Sequence, residues 1–512
     1  MEKDGAKPPL AFWPLMAIAL LQMLVHFMTN GNYGMFRDEF YYIACAEHLA
    51  WGYVDHPPFS MLMLAISKAI FGDSVQAIRL LATISGGVLI LMVGHLAREM
   101  GGNKIAQIIA ATAMLISPTH LGLTGFYSMN SFDFLFWMGA IWIVVRIVNT
   151  GNDKLWLLFG IVIGLGLQNK LSVLFLAMGL VAAMLLSPLR KYLSNKYFWI
   201  GSGLAILIFL PHILWQIANG WPTLEFMANA KQYKIADISP WEFFSAQIMD
   251  NHPLNFLIWF GGLLFLLIAK SMRPYRILGI AVIVIFLFFI VQKSKPYYFA
   301  PAIPFLIAVG GIMIGNWLTK RNLNWLAIVL VISLLLGGAW SAPLAVPFLP
   351  PDKFADYSLN KLVSGRSAEV YDSGVLPQHF ADRFGWEELA KATSMIYLQL
   401  TPEEQANCAV FGHNYGVCGS LQYFSQWVPL PRVVGGHNNY YLWGPGDEEV
   451  SVLLVIGGDP DDHREVFNSV EAGLETVISP YAMGYQKNIT IWICKEPKVD
   501  LKSIWPEVKH FI

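Results

Sequence analysis

Long apolar runs alternate with short polar breaks through the first two thirds of the chain. The runs centre near residues 19, 87, 112, 140, 162, 179, 207, 261, 284, 308 and 333. A helix needs about 20 mostly apolar residues to cross the hydrocarbon core of a bilayer, and fewer where protein shields it. The pattern predicts about eleven membrane-spanning helices, and the stretch Phe59–Phe71 is a candidate for a further, half-buried or interfacial one. Lys3 and Lys7 precede the first run, which extends over about residues 10–28. No small-residue cleavage site follows it, so it reads as a retained span and not a signal peptide.

After Trp340 the pattern changes. Pro343, Pro347, Pro350 and Pro351 cluster, and from about Asp352 polar and charged residues take over. Short β-branched runs at Val452–Ile456 and 489–493 predict strands, while Pro402–Ala406 and 463–472 predict helices. The expected fold is a polytopic α-helical membrane domain over residues 1–341, followed by a soluble α/β domain over 342–512. The chain shows no internal repeat and no low-complexity tract.

Composition agrees with the pattern. Hydrophobic residues make up 55% and charged residues 13%, against about a quarter charged in a soluble domain. Mean hydropathy is +0.50. A net charge of −1 gives no electrostatic footprint for nucleic acid. Cys408 and Cys418 could form a bridge in an extracytoplasmic domain or remain two buried thiols.

Charge in the loops orients the spans. Alternate loops hold Arg98 and Lys104; Arg146 and Lys154; Arg190, Lys191 and Lys196; Lys270, Arg273 and Arg276; Lys320 and Arg321. The opposite set holds only Arg37, Lys170, Lys231, Lys234, Lys293 and Lys295 between spans. The richer set is expected inside. This predicts a cytoplasmic N-terminus and, with an odd number of spans, a periplasmic C-terminal domain.

Chemistry concentrates in the first outer loop, residues 31–58. It carries Arg37-Asp38-Glu39, then Phe40-Tyr41-Tyr42, then Gly52-Tyr53-Val54-Asp55-His56-Pro57-Pro58. Adjacent acids, aromatic rings and a His-Pro-Pro turn at a membrane face are more than a solvated connector needs. Asp38-Glu39 after the first span, followed by Tyr53 to Pro58, resembles the signature of the protein O-mannosyltransferase superfamily, which includes bacterial enzymes that move aminoarabinose onto lipid A. The resemblance continues through residues 164–170, 219–223 and 293–298 with Pro301 and Pro304. It returns at Asn414-Tyr415-Gly416, Gly436-His437-Asn438 and Trp443-Gly444-Pro445.

The resemblance implies a GT-C fold, whose catalytic residues lie on the first outer loop, and a polyprenyl-phosphate-linked sugar as donor, undecaprenyl phosphate in a bacterium. It implies that Asp38 is the general base toward an acceptor hydroxyl of a lipid, glycan or protein, with inversion at the anomeric carbon. Glu39 stands beside it as a second catalytic acid, and Tyr53 and Asp55 as support. The departing phosphate needs cations or hydrogen-bond donors. Arg37, His56, Lys170, Lys293 and Lys295 are the candidates, with Tyr297 and Tyr298 as hydroxyl donors. Lys170 and Lys295 are favoured, and Lys293 stands open between ligand and membrane anchor.

Two positions depart from the family's pattern. Relatives often carry lysine where this chain has His56, and a neutral histidine brings one donor and no charge. Asn130 occupies the place of an expected aspartate. Asp133, three residues on, shares its helix face and either lines the cavity as a catalytic acid or is solvated at the helix start. Asp38, Glu39 and Asp55 could hold a divalent ion, but a metal-free site without cofactor is the expectation. Besides donor and acceptor, the expected partners are membrane lipids. A flippase or transporter of lipid-linked sugars is the alternative, although such proteins often show paired repeats with interrupted helices.

Overall fold

In the computed structural model, residues 7–234, 237–359, 374–476 and 479–512 are described; Lys3 lies outside them. The chain divides into two compact units. The first comprises Met1–Gly31, Phe71–Leu214 and Asp237–Phe348, the second Asn32–Ile70, Trp215–Ala236 and Leu349–Ile512.

Each of the eleven apolar runs centres inside a helix. These are Phe12–Thr29, Val75–Glu99, Lys104–Leu115, Met129–Thr150, Leu155–Asn169, Val173–Leu185, Lys196–Ala218, Pro253–Ile268, Arg276–Val291, Ile303–Lys320 and Asn324–Ser341. Among the described residues, seven segments are long and apolar enough to cross a membrane alone, or nine if each bent pair counts as one. The difference from eleven has local causes. Lys104–Leu115 meets Pro118–Thr124 at 63°, and Pro240–Asp250 meets Pro253–Ile268 at 112°. In both breaks a proline follows the bend, where it denies its predecessor helical geometry. Leu155–Asn169 and Val173–Leu185 stop at 15 and 13 residues.

Small residues let these helices approach closely. A Cβ on Gly164 would lie 2.9 Å from the Cβ of Ile208 and 3.0 Å from the Cα of Ala205. At one end of the first unit, the loops of the lysine- and arginine-rich set meet one another. Glu99 takes Lys7 at 2.7 Å and Arg146 at 3.2 Å, and Tyr275 donates to Asn149 at 2.5 Å. Asn195 donates to Asp153 at 2.5 Å and Asn103 to Thr319 at 2.7 Å.

The second unit holds a five-stranded sheet of β1 (Cys408–Gly412), β2 (Arg432–Val434), β3 (Val452–Ile456), β4 (Phe467–Thr476) and β5 (Ile489–Pro497). Its order is β2-β1-β3-β5-β4. β1 pairs parallel with β2 and β3, while β5 runs antiparallel to β3 and to β4. β3 has all five residues buried, as a central strand should. Pro402–Ala406 is helical, closed by a capping box from Thr401 and Glu404, and Phe59–Phe71 is helical too. The helix expected over 463–472 is a correction: Pro460–Val466 is helical, but from Phe467 the chain is strand. Edge pairing with β5 supplies hydrogen bonds that override local propensity. All four cysteines are free and buried. Cys418 points its thiol at the Gly412 carbonyl, 3.4 Å away.

Candidate functional site

In the second unit, Phe36 is extended and opens the helix Arg37–Glu47. The Glu39 carboxylate turns back to accept the Phe36 N–H at 2.8 Å and is fully buried. Glu39 thus satisfies an otherwise orphaned donor at its own helix start. That is a structural post, and it departs from the catalytic one its pairing with Asp38 suggests.

Asp38 is disposed differently. Its side chain keeps 28% of its surface exposed. The Tyr415 hydroxyl donates to its Oδ1 at 2.9 Å, and Arg37 Nε lies 3.6 Å from the same oxygen. Among the described residues both contacts fall on Oδ1. Arg37 itself is engaged in several directions: its guanidinium stacks over the Tyr415 ring at 5.4 Å, donates to Tyr485 at 3.3 Å and lies 3.9 Å from Asp382. Burial opposes its charge, but Asp382, Tyr415, Tyr485 and Asp38 together outweigh that and hold its pKa above the ordinary value. Burial pushes the Asp382 carboxyl upward, and Arg37 offsets this only in part. Tyr415 is fixed from behind. Its N–H donates to His437 Nδ1 at 3.2 Å, so His437 donates through Nε2 to the Ile512 carbonyl at 2.9 Å.

The turn at residues 53–58 is pinned within the same unit. Tyr53 is fully buried and donates its hydroxyl to the Cys45 carbonyl at 2.8 Å. Asp55 accepts from Tyr41 at 2.9 Å. Asn439 accepts the Val54 N–H at 2.8 Å. His56 is 1% exposed, with Nδ1 3.0 Å from the Pro57 carbonyl. A carbonyl only accepts, so the Nδ1 proton is committed there. Nε2 has no hydrogen-bond partner among the described residues and lies 3.9 Å from Asp55. A neutral His56 in this pose offers no donor to a phosphate; it must carry a second proton to do so.

In the first unit a second cluster forms where Met129–Thr150 begins. Ser172 places its hydroxyl 2.6 and 2.7 Å from the two oxygens of Asp133, which is 1% exposed. Lys170 lies 3.7 Å from Asp133 and donates to Asn130 at 2.6 Å. Its ammonium also sits over the Tyr297 and Tyr298 rings, at 5.5 and 5.4 Å. The two tyrosines therefore offer their faces to the lysine. Lys170 itself is extended between two short helices. Lys295 is buried at the start of the turn Pro296–Ala302. Lys293 is exposed and pairs with the still more exposed Asp237 at 2.9 Å; such a pair contributes about 0–1 kcal/mol.

Sequence reasoning missed the groups that hold these side chains: Tyr415 and His437 behind Asp38, Ser172 beneath Asp133, and Asp382 and Tyr485 around Arg37. Tyr415 and His437 stood in stretches that carry the resemblance but had no role assigned, and Ser172 left a signal as a lone hydroxyl just after Lys170 in an apolar run.

Residues 55–215 match the family model described as dolichyl-phosphate-mannose-protein mannosyltransferase. Two proteins named undecaprenyl phosphate-alpha-4-amino-4-deoxy-L-arabinose arabinosyl transferase 1 are similar, both from Pseudomonas fluorescens. The one from strain Pf0-1 is 24% identical over 53% of this chain and 50% of its own length. The one from strain Pf-5 is 30% identical over 32% of this chain and 30% of its own. These matches thus span half or less of the relatives' lengths. The crystal structure of ArnT from Cupriavidus metallidurans bound to undecaprenyl phosphate superposes with a TM-score of 0.59 at 17% identity. It covers 93% of this chain and 97% of that one. The apo oligosaccharyltransferase of Archaeoglobus fulgidus gives 0.52 at 13% identity, covering 88% and 70%.

The chain is a multi-pass bacterial membrane protein with the GT-C fold. Within that class it is similar to the dolichyl-phosphate-mannose-protein mannosyltransferases over residues 55–215, and to the aminoarabinosyl transferases over about half its length.

Proposed function

We propose that this protein is an inverting glycosyltransferase that moves a hexosyl or pentosyl group from a polyprenyl-phosphate donor to an acceptor hydroxyl on the periplasmic side of the membrane. Undecaprenyl phosphate is the carrier that its similarity to the aminoarabinosyl transferases favours. Asp38 is the base. The observation that carries this is its half-committed carboxylate, in which one oxygen is oriented by Tyr415 and the side chain stays accessible. A base needs an open oxygen within hydrogen-bond reach of the proton it takes. The acceptor oxygen then attacks the anomeric carbon as the bond to the phosphate oxygen breaks, and the phosphate leaves with the electron pair. Lys170 and Lys295 meet that developing charge. Asp133, Asn130 and Ser172 keep Lys170 in place. His56 shares in phosphate binding only when doubly protonated. We read the reaction as metal-free, because Glu39 is committed to the Phe36 N–H and Asp55 to Tyr41. The meeting of the lysine- and arginine-rich loops at one end of the first unit supports a cytoplasmic N-terminus.

Proteoliposomes loaded with labelled polyprenyl-phosphate sugar test the reading. Wild type should transfer label to acceptor, in the presence of a chelator as in its absence. Asp38→Asn should transfer label at least about a hundredfold more slowly while keeping donor binding. Label crossing the bilayer without transfer would mean a flippase.

A further inference from the structure

The second unit contains a cavity of about 260 Å³ lined by its own residues.

This cavity opens where β1 and β3 end side by side. After β1 the chain turns at His413 and Asn414 toward a helix and then β2 on one flank. After β3 it turns at Gly457 and Gly458 toward Pro460–Val466 and then β4 on the other. Connections that diverge from two adjacent parallel strands leave a crevice at their carboxyl ends, where open α/β sheets bind ligands. His413, Asn414, Gly457 and Gly458 all line it, with Trp386 and Gln486. Gly458 has φ +84°, and a Cβ there would lie 2.9 Å from His413 Nε2.

The lining specifies a chemistry. It holds no acid, lysine or arginine, so it offers no fixed charge to a phosphate or carboxylate. Trp386, Leu389, Val417, Ile456 and Ile489 give apolar walls. Gln486 is 2% exposed, and its Oε1 has no hydrogen-bond partner among the described residues. An unpaired buried acceptor is costly, and a ligand hydroxyl removes the cost. The volume falls just below the ~300–1,000 Å³ of pockets for drug-sized ligands, enough for a single ring.

We propose that this cavity binds one neutral pyranose ring of the acceptor, with C–H faces against the apolar walls and a hydroxyl donating to Gln486. That the ring belongs to the acceptor rests on the transferase reading; that the cavity takes a sugar does not. Two of its lining residues adjoin the Asp38 cluster: Tyr485 donates to Asp382, and Asn414 precedes Tyr415.

The test is saturation-transfer NMR on the full chain in nanodiscs, with methyl glycosides of glucose, galactose and N-acetylglucosamine at millimolar concentration. At least one glycoside should bind. Gln486→Leu should weaken it about fivefold, the size of one neutral hydrogen bond, and the exposed-site variant His413→Ala should weaken it too. Asp38→Asn should bind as wild type does, which separates this site from catalysis. The bound glycoside should also raise the KM for acceptor in the transfer assay. No binding to wild type, or binding that neither cavity variant changes, overturns the site. Binding with no effect on acceptor KM overturns its assignment to the acceptor.

Discussion

Asp38 and Asp133 are the same residue in opposite circumstances. Asp38 begins a helix of the second unit with one oxygen held and the side chain accessible. Asp133 is buried in a span of the first unit, with Ser172 on both oxygens and Lys170 beside it. A reactive carboxylate must keep capacity in reserve, while a carboxylate that has none left is a fixture for its neighbours. On the proposed reading, the contrast assigns Asp38 as the base and Asp133 as an anchor.

The sharpest way to break this comparison is to neutralise each acid. Asp38→Asn should lower kcat by about 10²–10⁴-fold, the usual range for a lost general base, with an unchanged thermal midpoint. Asp133→Asn should do the reverse. It should cost about 1–3 kcal/mol of stability, seen as a lower midpoint, and weaken donor binding through Lys170. Equal effects of the two variants on both readouts would erase the distinction.

Next in size is Tyr415→Phe, which removes the hydroxyl that orients Asp38. A hydrogen bond to a charged group contributes about 1.5–3 kcal/mol, so kcat should fall at least tenfold with little change in donor KM. Smaller again is Lys293→Ala. Because its partner Asp237 is exposed, transfer rates should stay within about twofold of wild type, whereas Lys170→Ala should raise donor KM well beyond that. If Lys293→Ala is the more damaging of the two, the placement of the phosphate cations is wrong.

The smallest effect concerns the second unit alone. Lys495 and the Thr401 N–H hold the Glu404 carboxyl down to about 2. A depressed carboxylate stabilises the fold above its ordinary value near 4.5 and loses that contribution as pH falls toward 2. Wild type should therefore melt above Glu404→Gln at neutral pH, and the gap should close near pH 2. A gap that persists in acid would assign the contribution to something other than charge.

How much of this was legible in the sequence follows from what each feature depends on. Every apolar run became a helix, because burial in lipid or in a helical core asks only for hydrophobic length. Val452–Ile456 and Pro402–Ala406 were readable because strand burial and a capping box are local. The segment after Val466 was not, since β5 lies some twenty residues on and decides its structure by pairing. Asp38, Lys170 and their loops were visible as charges in unusual places. The roles of Glu39 and Tyr415 were hidden. One depends on where a helix starts, the other on a side chain that arrives from 377 residues away.

The extended break at Lys170 has one more consequence. At about 1.5 Å per residue, the 15-residue helix before it and the 13-residue helix after it reach only about 22 and 20 Å, short of the ~30 Å hydrocarbon thickness. Hydrophobic mismatch on this scale is relieved by local thinning of the bilayer. The leaflet should dimple around Lys170, and the protein should work best in membranes whose acyl chains are short enough to make that deformation easy.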